Sequence, residues 1–202
     1  MPSLLCRAAL LLGVLALAAC ASDAGRVTDL DGQAIGWQQW KPVTEDQAAL
    51  ALAGDVSLVR KREAANLPSR YLESWTLEGG HLFYERLKDG GFAAGSDAPA
   101  FLLALYRNNT ALNERGIVLD AAQIQEDGPL LIAAAASDQA ACAVFSVVFG
   151  EQAFPESPGD RLLRGGLCRR GDSVDPRLVE AQLRELLSRL TADGSLVLTS
   201  GA

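Results

Sequence analysis

Hydrophobic positions fall into short blocks along the chain, and their spacing predicts strands interleaved with a few helices. Segments 71–77 (Tyr-Leu-Glu-Ser-Trp-Thr-Leu) and 82–88 (Leu-Phe-Tyr-Glu-Arg-Leu-Lys) flank Gly79-Gly80. This predicts a β-hairpin, because glycine tolerates the positive φ angles of tight turns. A turn centred there sets Glu78 opposite His81, Leu77 opposite Leu82, Trp75 opposite Tyr84 and Glu73 opposite Arg86. Thr76 then meets Phe83, and Leu72 meets Leu87. Leu130 to Ala136 and Cys142 to Phe149 are apolar almost throughout, which suits strands covered on both faces. Ser137-Asp138-Gln139 joins them, and Arg161 to Leu167 brings the chain back after a loop over 150–160. Val56, Leu58 and Arg60 open another alternating segment, and Ile117-Val118-Leu119 reads as a strand.

Helix signals are fewer. Asp175-Pro176 opens the clearest one, with Val179, Leu183, Leu186, Leu187 and Leu190 on one stripe; it is expected over 176–192, with Gly194 as its stop. Thr44 and Gln47 have capping-box spacing before an Ala/Leu run, which predicts a short helix over 45–53 ended by Gly54. Ser96 or Asp97 could cap a helix from Ala98 to Arg107, although Phe-Leu-Leu-Ala-Leu-Tyr also fits a buried strand. Asp120 to Gln125 reads as a turn of helix, and Asp127-Gly128-Pro129 as a break. The expected fold class is α+β: a mixed, largely antiparallel sheet packed on the C-terminal helix and shorter helices. One domain is expected over 29–194, with 195–202 a short edge strand or tail; no repeats or interdomain linker are visible.

The first twenty residues follow another pattern. Arg7 precedes an apolar run from Ala8 to Ala19. That run is shorter than the about 20 residues a bilayer-spanning helix needs, and suits a secretory signal. It ends in Leu17-Ala18-Ala19-Cys20, which resembles the lipobox of bacterial lipoproteins. The resemblance covers only this leader. It implies that residues 1–19 are removed, that Cys20 is acylated and that 20–28 form a tether. Ala21, rather than an acidic residue, follows Cys20, which in that class implies an outer-membrane location facing the periplasm. The membrane is then reached through the lipid, and an envelope protein is the expected partner. An ordinary secretory signal with an incidental cysteine is the rival reading.

Composition narrows the remaining classes. Hydrophobic residues make up 49% of the 202, which excludes a disordered tail. Eighteen Lys and Arg face 25 Asp and Glu, a net charge of −7, which argues against nucleic acid as a partner. With Cys6 in the leader and Cys20 acylated, Cys142 and Cys168 are left as an even pair. In an oxidising compartment they are expected to form a disulfide, contributing roughly 3–4 kcal/mol; two free thiols are the alternative.

Candidate chemistry is sparse. His81 is the only histidine, there is no Gly-x-Ser-x-Gly, and a surface or cross-strand role rather than a catalytic one is expected for it. Asp29-x-Asp31-Gly32 begins like a calcium loop but has Trp40 where the bidentate Glu belongs, so no metal site is expected. Trp37 and Trp40 could line a groove or plug a core. Asn108-Asn109-Thr110 matches a glycosylation pattern, read as chance in a bacterial lipoprotein. Arg161, Arg164, Arg169 and Arg170 could contact an anion or form a salt-bridged loop. No catalytic constellation and no cofactor is expected. The leading functional expectation is a non-enzymatic accessory or interaction module of the cell envelope. A small-ligand carrier or a hydrolase is the alternative.

Overall fold

The computed structural model describes residues Gln39 to Val197. The expectations for the leader, Cys20, the tether, the Asp29–Gly32 segment, Trp37 and residues 198–202 lie outside them.

Two antiparallel sheets form the architecture. The large one contains β1 (Lys41–Pro42), β3 (Val59–Asn66), β4 (Arg70–Leu77), β5 (Gly80–Leu87), β6 (Ile124–Asp127), β7 (Leu130–Ala136), β8 (Ala140–Phe149) and β9 (Arg161–Arg170), in the spatial order β1-β3-β4-β5-β9-β8-β7-β6. The small one orders β11 (Ser195–Leu196), β10 (Leu190–Ala192) and β2 (Leu50–Leu52). Among the described residues, three α-helices accompany them: α1 (Pro99–Tyr106), α2 (Thr110–Asn113) and α3 (Pro176–Ser188). The α+β class and its C-terminal helix therefore stand, with every strand pairing among the described residues antiparallel.

The unbroken apolar run of β8 hides a period of two. Ala141, Ala143, Phe145 and Val147 join the core beneath α3 and the small sheet, with Trp75, Tyr84, Leu163 and Leu183. Ala140, Cys142 and Val144 join a second core beneath α1 and α2, with Leu102, Tyr106 and Leu112. A strand buried on both faces has no polar face to reveal its alternation. Cys142 and Cys168 stand directly opposite one another on β8 and β9, their Cα atoms 4.1 Å apart, and form the expected disulfide.

The hairpin of β4 and β5 exists, but its turn lies one residue earlier than expected. Leu77 pairs with Gly80, Trp75 with Leu82 and Glu73 with Tyr84, so Glu78-Gly79 forms the turn. The two glycines have separate tasks. Gly79 takes φ +76°, while a Cβ on Gly80 would collide with the Gly166 carbonyl of β9. Turn conformation and close strand approach together select this register.

Three further expectations are corrected. The helix over 45–53 is a single turn, with the amide of Gln47 bonded to Thr44 O at 3.1 Å. The Ala48 amide also bonds to Thr44 O, but those of Ala49 and Leu50 donate to the carboxylate of Glu73, and Leu50–Leu52 becomes β2. Ile117-Val118-Leu119 is irregular, with Ile117 buried against the second core. Helix α3 stops at Ser188 rather than 192, because Leu190–Ala192 pair with β2 and then turn through Asp193 (φ 48°) and Gly194 (φ 77°) into β11. Two successive positive φ angles at Asp-Gly form a type I′ hairpin turn.

At the other end of α3, Asp175 caps as expected, its Oδ1 accepting from the Arg177 amide at 2.9 Å with Pro176 in the first turn. Replacing Asp175 by Ala is expected to lower stability by about 1 kcal/mol in urea unfolding. Its replacement by Asn should be nearly neutral.

Candidate functional site

The face of the large sheet opposite α3 carries a crevice of about 320 Å³ where β5 and β9 pass α2. Its origin is local. Strand β9 places Gly166 between His81 of β5 and Val144 of β8, so the floor there is bare backbone. A Cβ at Gly166 would sit 2.6 Å from the carbonyl of Ala143. The wall opposite is α2, started by Asn109, whose Oδ1 accepts from the Leu112 amide at 3.2 Å. Just past α2, Arg115 folds back, its Nη1 donating to Ala111 O at 2.7 Å. Its Nε is buried without a hydrogen-bond partner.

His81 is exposed at the rim of this crevice, and its side chain makes no hydrogen bond among the described residues. Protein packed around the ring weakens solvation of the imidazolium, and Arg164 and Arg115 repel it. Its pKa therefore lies below the usual histidine value. The surface role expected for His81 fits this placement, although its neighbours are Gly166 and two arginines rather than Glu78. Glu78 instead pairs with Arg60 at 2.5 Å.

The arginines expected near Cys168 are not brought together, because alternation along β9 divides them between its two faces. Arg161 approaches Asp193 at 3.4 Å, and Arg169 donates from Nε to Gln182 of α3 at 3.1 Å. On the opposite face, Arg164 lies over the Phe83 ring at 4.6 Å. Burial lowers its pKa, while Tyr106 and Glu85 favour its charge. Arg170 is exposed. Of the four, only Arg164 neighbours the crevice electrostatically, through His81.

Beside Arg164, the sheet buries polar groups. Glu85 is fully buried and paired with Arg70 at 2.8 Å. Ser146, the cross-strand neighbour of Arg164, buries its hydroxyl without a hydrogen-bond partner. Trp40 stacks edge-on against Phe83 with centroids 6.2 Å apart, so it plugs this face. Among the described residues, no cluster of three His, Cys, Asp or Glu is arranged to hold a metal ion, and no helix is long and apolar enough to cross a membrane.

Sequence reasoning missed Arg115 and the capping role of Asn109. Asn109 was visible only as part of a glycosylation pattern, yet an Asn before Thr-Ala-Leu-Asn is also an N-cap signal. Arg115 carries no local signal; the fold alone returns it to the sheet. Chemically, the crevice presents hydrogen-bond donors and positive charge above a glycine floor. Comparison with protein-family models, with curated proteins and with solved structures finds no match for this chain.

Proposed function

We propose that the chain is a lipid-anchored protein of the bacterial cell envelope whose folded part is a non-enzymatic binding module. The apolar run ending in Leu17-Ala18-Ala19-Cys20 carries this reading. Acyl chains on Cys20 would anchor the protein, at about 0.8 kcal/mol per buried CH₂. The disulfide supports an oxidising compartment. The crevice supports binding: its lining offers Arg115, His81 and Asn109 without a serine or carboxylate to serve as nucleophile or base.

Between a protein-binding and a small-ligand-binding role, the crevice favours the second. The layer between α3 and the large sheet is filled by Phe145, Ile132, Leu183 and Leu187, all fully buried, so an apolar cargo has no place there. The depression at the edge of that layer measures about 150 Å³ and has a charged rim including Arg169, Glu185 and Arg189.

The test is metabolic labelling with an alkyne analogue of palmitate, followed by fractionation. Wild-type protein is expected to carry the label and to sediment with membranes. Cys20→Ser should lose the label and appear unprocessed or soluble. Unlabelled, soluble wild-type protein would overturn the anchor.

A further inference from the structure

We propose that the crevice beside His81 binds a small carboxylic acid with an apolar body, its carboxylate held by Arg115, Asn109 and His81 and its body resting on Leu112 and Val144. The proposal rests on reading the fold as a binding module and names the ligand class of that module.

Charge is the first argument. The chain carries a net charge of −7, yet no Asp or Glu lines this crevice. Donor inventory is the second. Arg115 has Nη1 committed to Ala111 O, which leaves its buried Nε without a partner. The Nε edge of a guanidinium presents two parallel N–H groups, the geometry that a planar carboxylate accepts. Asn109 uses Oδ1 for the α2 cap, leaving its amide nitrogen as a donor. The His81 ring adds at least one N–H. Shape is the third. About 320 Å³ lies at the small end of ligand sites and suits a compact acid rather than a folded partner. Leu112 and Val144 give the lining an apolar part.

Binding should be linked to protons. Arg164 faces His81 from β9, and Arg115 faces it from the end of α2. Strand β4 contributes only Thr76 opposite it. Lys61, the next residue across that row, pairs with Glu63 at 2.7 Å, and Glu78 at the turn pairs with Arg60. A bound carboxylate would offset the repulsion from the two arginines and so favour the imidazolium. His81 then titrates at higher pH in the complex, and affinity rises as pH falls through that range.

Because His81 is the only histidine, one imidazole reports on the site in an NMR titration of the full chain, purified in detergent without a histidine tag. The probes are isovalerate, its neutral isostere isovaleramide and inorganic phosphate. Isovalerate is expected to move the His81 midpoint upward and saturably, and to bind more tightly at about pH 5.5 than at about pH 7.5. Isovaleramide should leave the midpoint unmoved. Arg115→Gln should weaken isovalerate binding at least ~10-fold. Asn109→Asp retains a capping side chain but places a carboxylate in the crevice. It should abolish binding with an unchanged melting curve, and it decides the matter if Arg115→Gln does not fold. No saturable shift, equal binding of isovaleramide, or tighter binding of phosphate than of isovalerate would each overturn the proposal. None of these outcomes bears on acylation of Cys20, so the site and the anchor fail separately.

Discussion

Replacing Cys142 and Cys168 together by alanine is expected to cost about 3–4 kcal/mol in urea unfolding at unchanged fold. The two residues already face each other across a ladder running from Ala140–Arg170 to Phe149–Arg161. The crosslink therefore adds little to the ordering of the native strands. Its contribution lies in the unfolded chain, where joining residues 26 apart in sequence removes conformational freedom. Small domains carry about 5–15 kcal/mol in total, so this loss would be a large share. Wild-type protein under reducing agent should unfold at nearly the same urea concentration as the double variant. A midpoint indistinguishable from that of oxidised wild type would show that the bridge does not stabilise the fold.

The second large effect is expected at Glu73. Its carboxylate is fully buried on the α3 side of β4 and accepts four hydrogen bonds. Oε1 takes the indole N–H of Trp75 at 2.6 Å and the amide of Leu50 at 3.4 Å. Oε2 takes the amide of Ala49 at 2.7 Å and the hydroxyl of Tyr71 at 2.8 Å. Burial, and then Glu73 itself, raises the Tyr71 pKa above its ordinary range, so this phenol remains a donor at physiological pH. Glu73→Ala would orphan the buried indole and two amides. At about 1–3 kcal/mol for each unsatisfied donor, a loss on the order of 4 kcal/mol is expected. Glu73→Gln keeps the shape but turns one acceptor into a donor, and should lose roughly half as much. Hydrogen exchange at Ala49 and Leu50 should accelerate in both variants, which separates the loss of this staple from general loosening. Stability within about 1 kcal/mol of wild type for Glu73→Ala would overturn this account.

Glu73 also shows where sequence reading reaches its limit. Thr44 and Gln47 carry a genuine helix-start signal, and one turn forms. Continuing it would need the amides of Ala49 and Leu50, which a carboxylate from β4 takes first. No local pattern encodes that capture. Elements set by their own residues were legible: the strands from Leu130 and Cys142, the return of β9, the Asp175 cap and the disulfide. The β4–β5 hairpin was legible as an element but not in register, because Gly80 answers to β9 rather than to the turn. Strand β6 (Ile-Gln-Glu-Asp) is too polar to signal itself, and it is recruited by β7 through Gly128-Pro129. The arginine cluster was a sequence neighbourhood that strand alternation took apart. The crevice depends on contacts between α2 and β9 that no spacing announces.

The pairing of β2 with β10 has a consequence for the order in which the molecule is completed. Thr191 donates to the carbonyl of Ala51, 140 residues earlier, and Leu190 pairs with Leu52. A growing chain thus emits Leu50–Leu52 long before their partners exist. The amides that Glu73 captures can meet it early, but the neighbouring strand edge waits for the last segment to arrive. Such distant pairing carries a high loop-closure cost and slows folding. The cover over Trp75 is therefore a late closure, and fragments ending before Leu190 lack the strand that completes it.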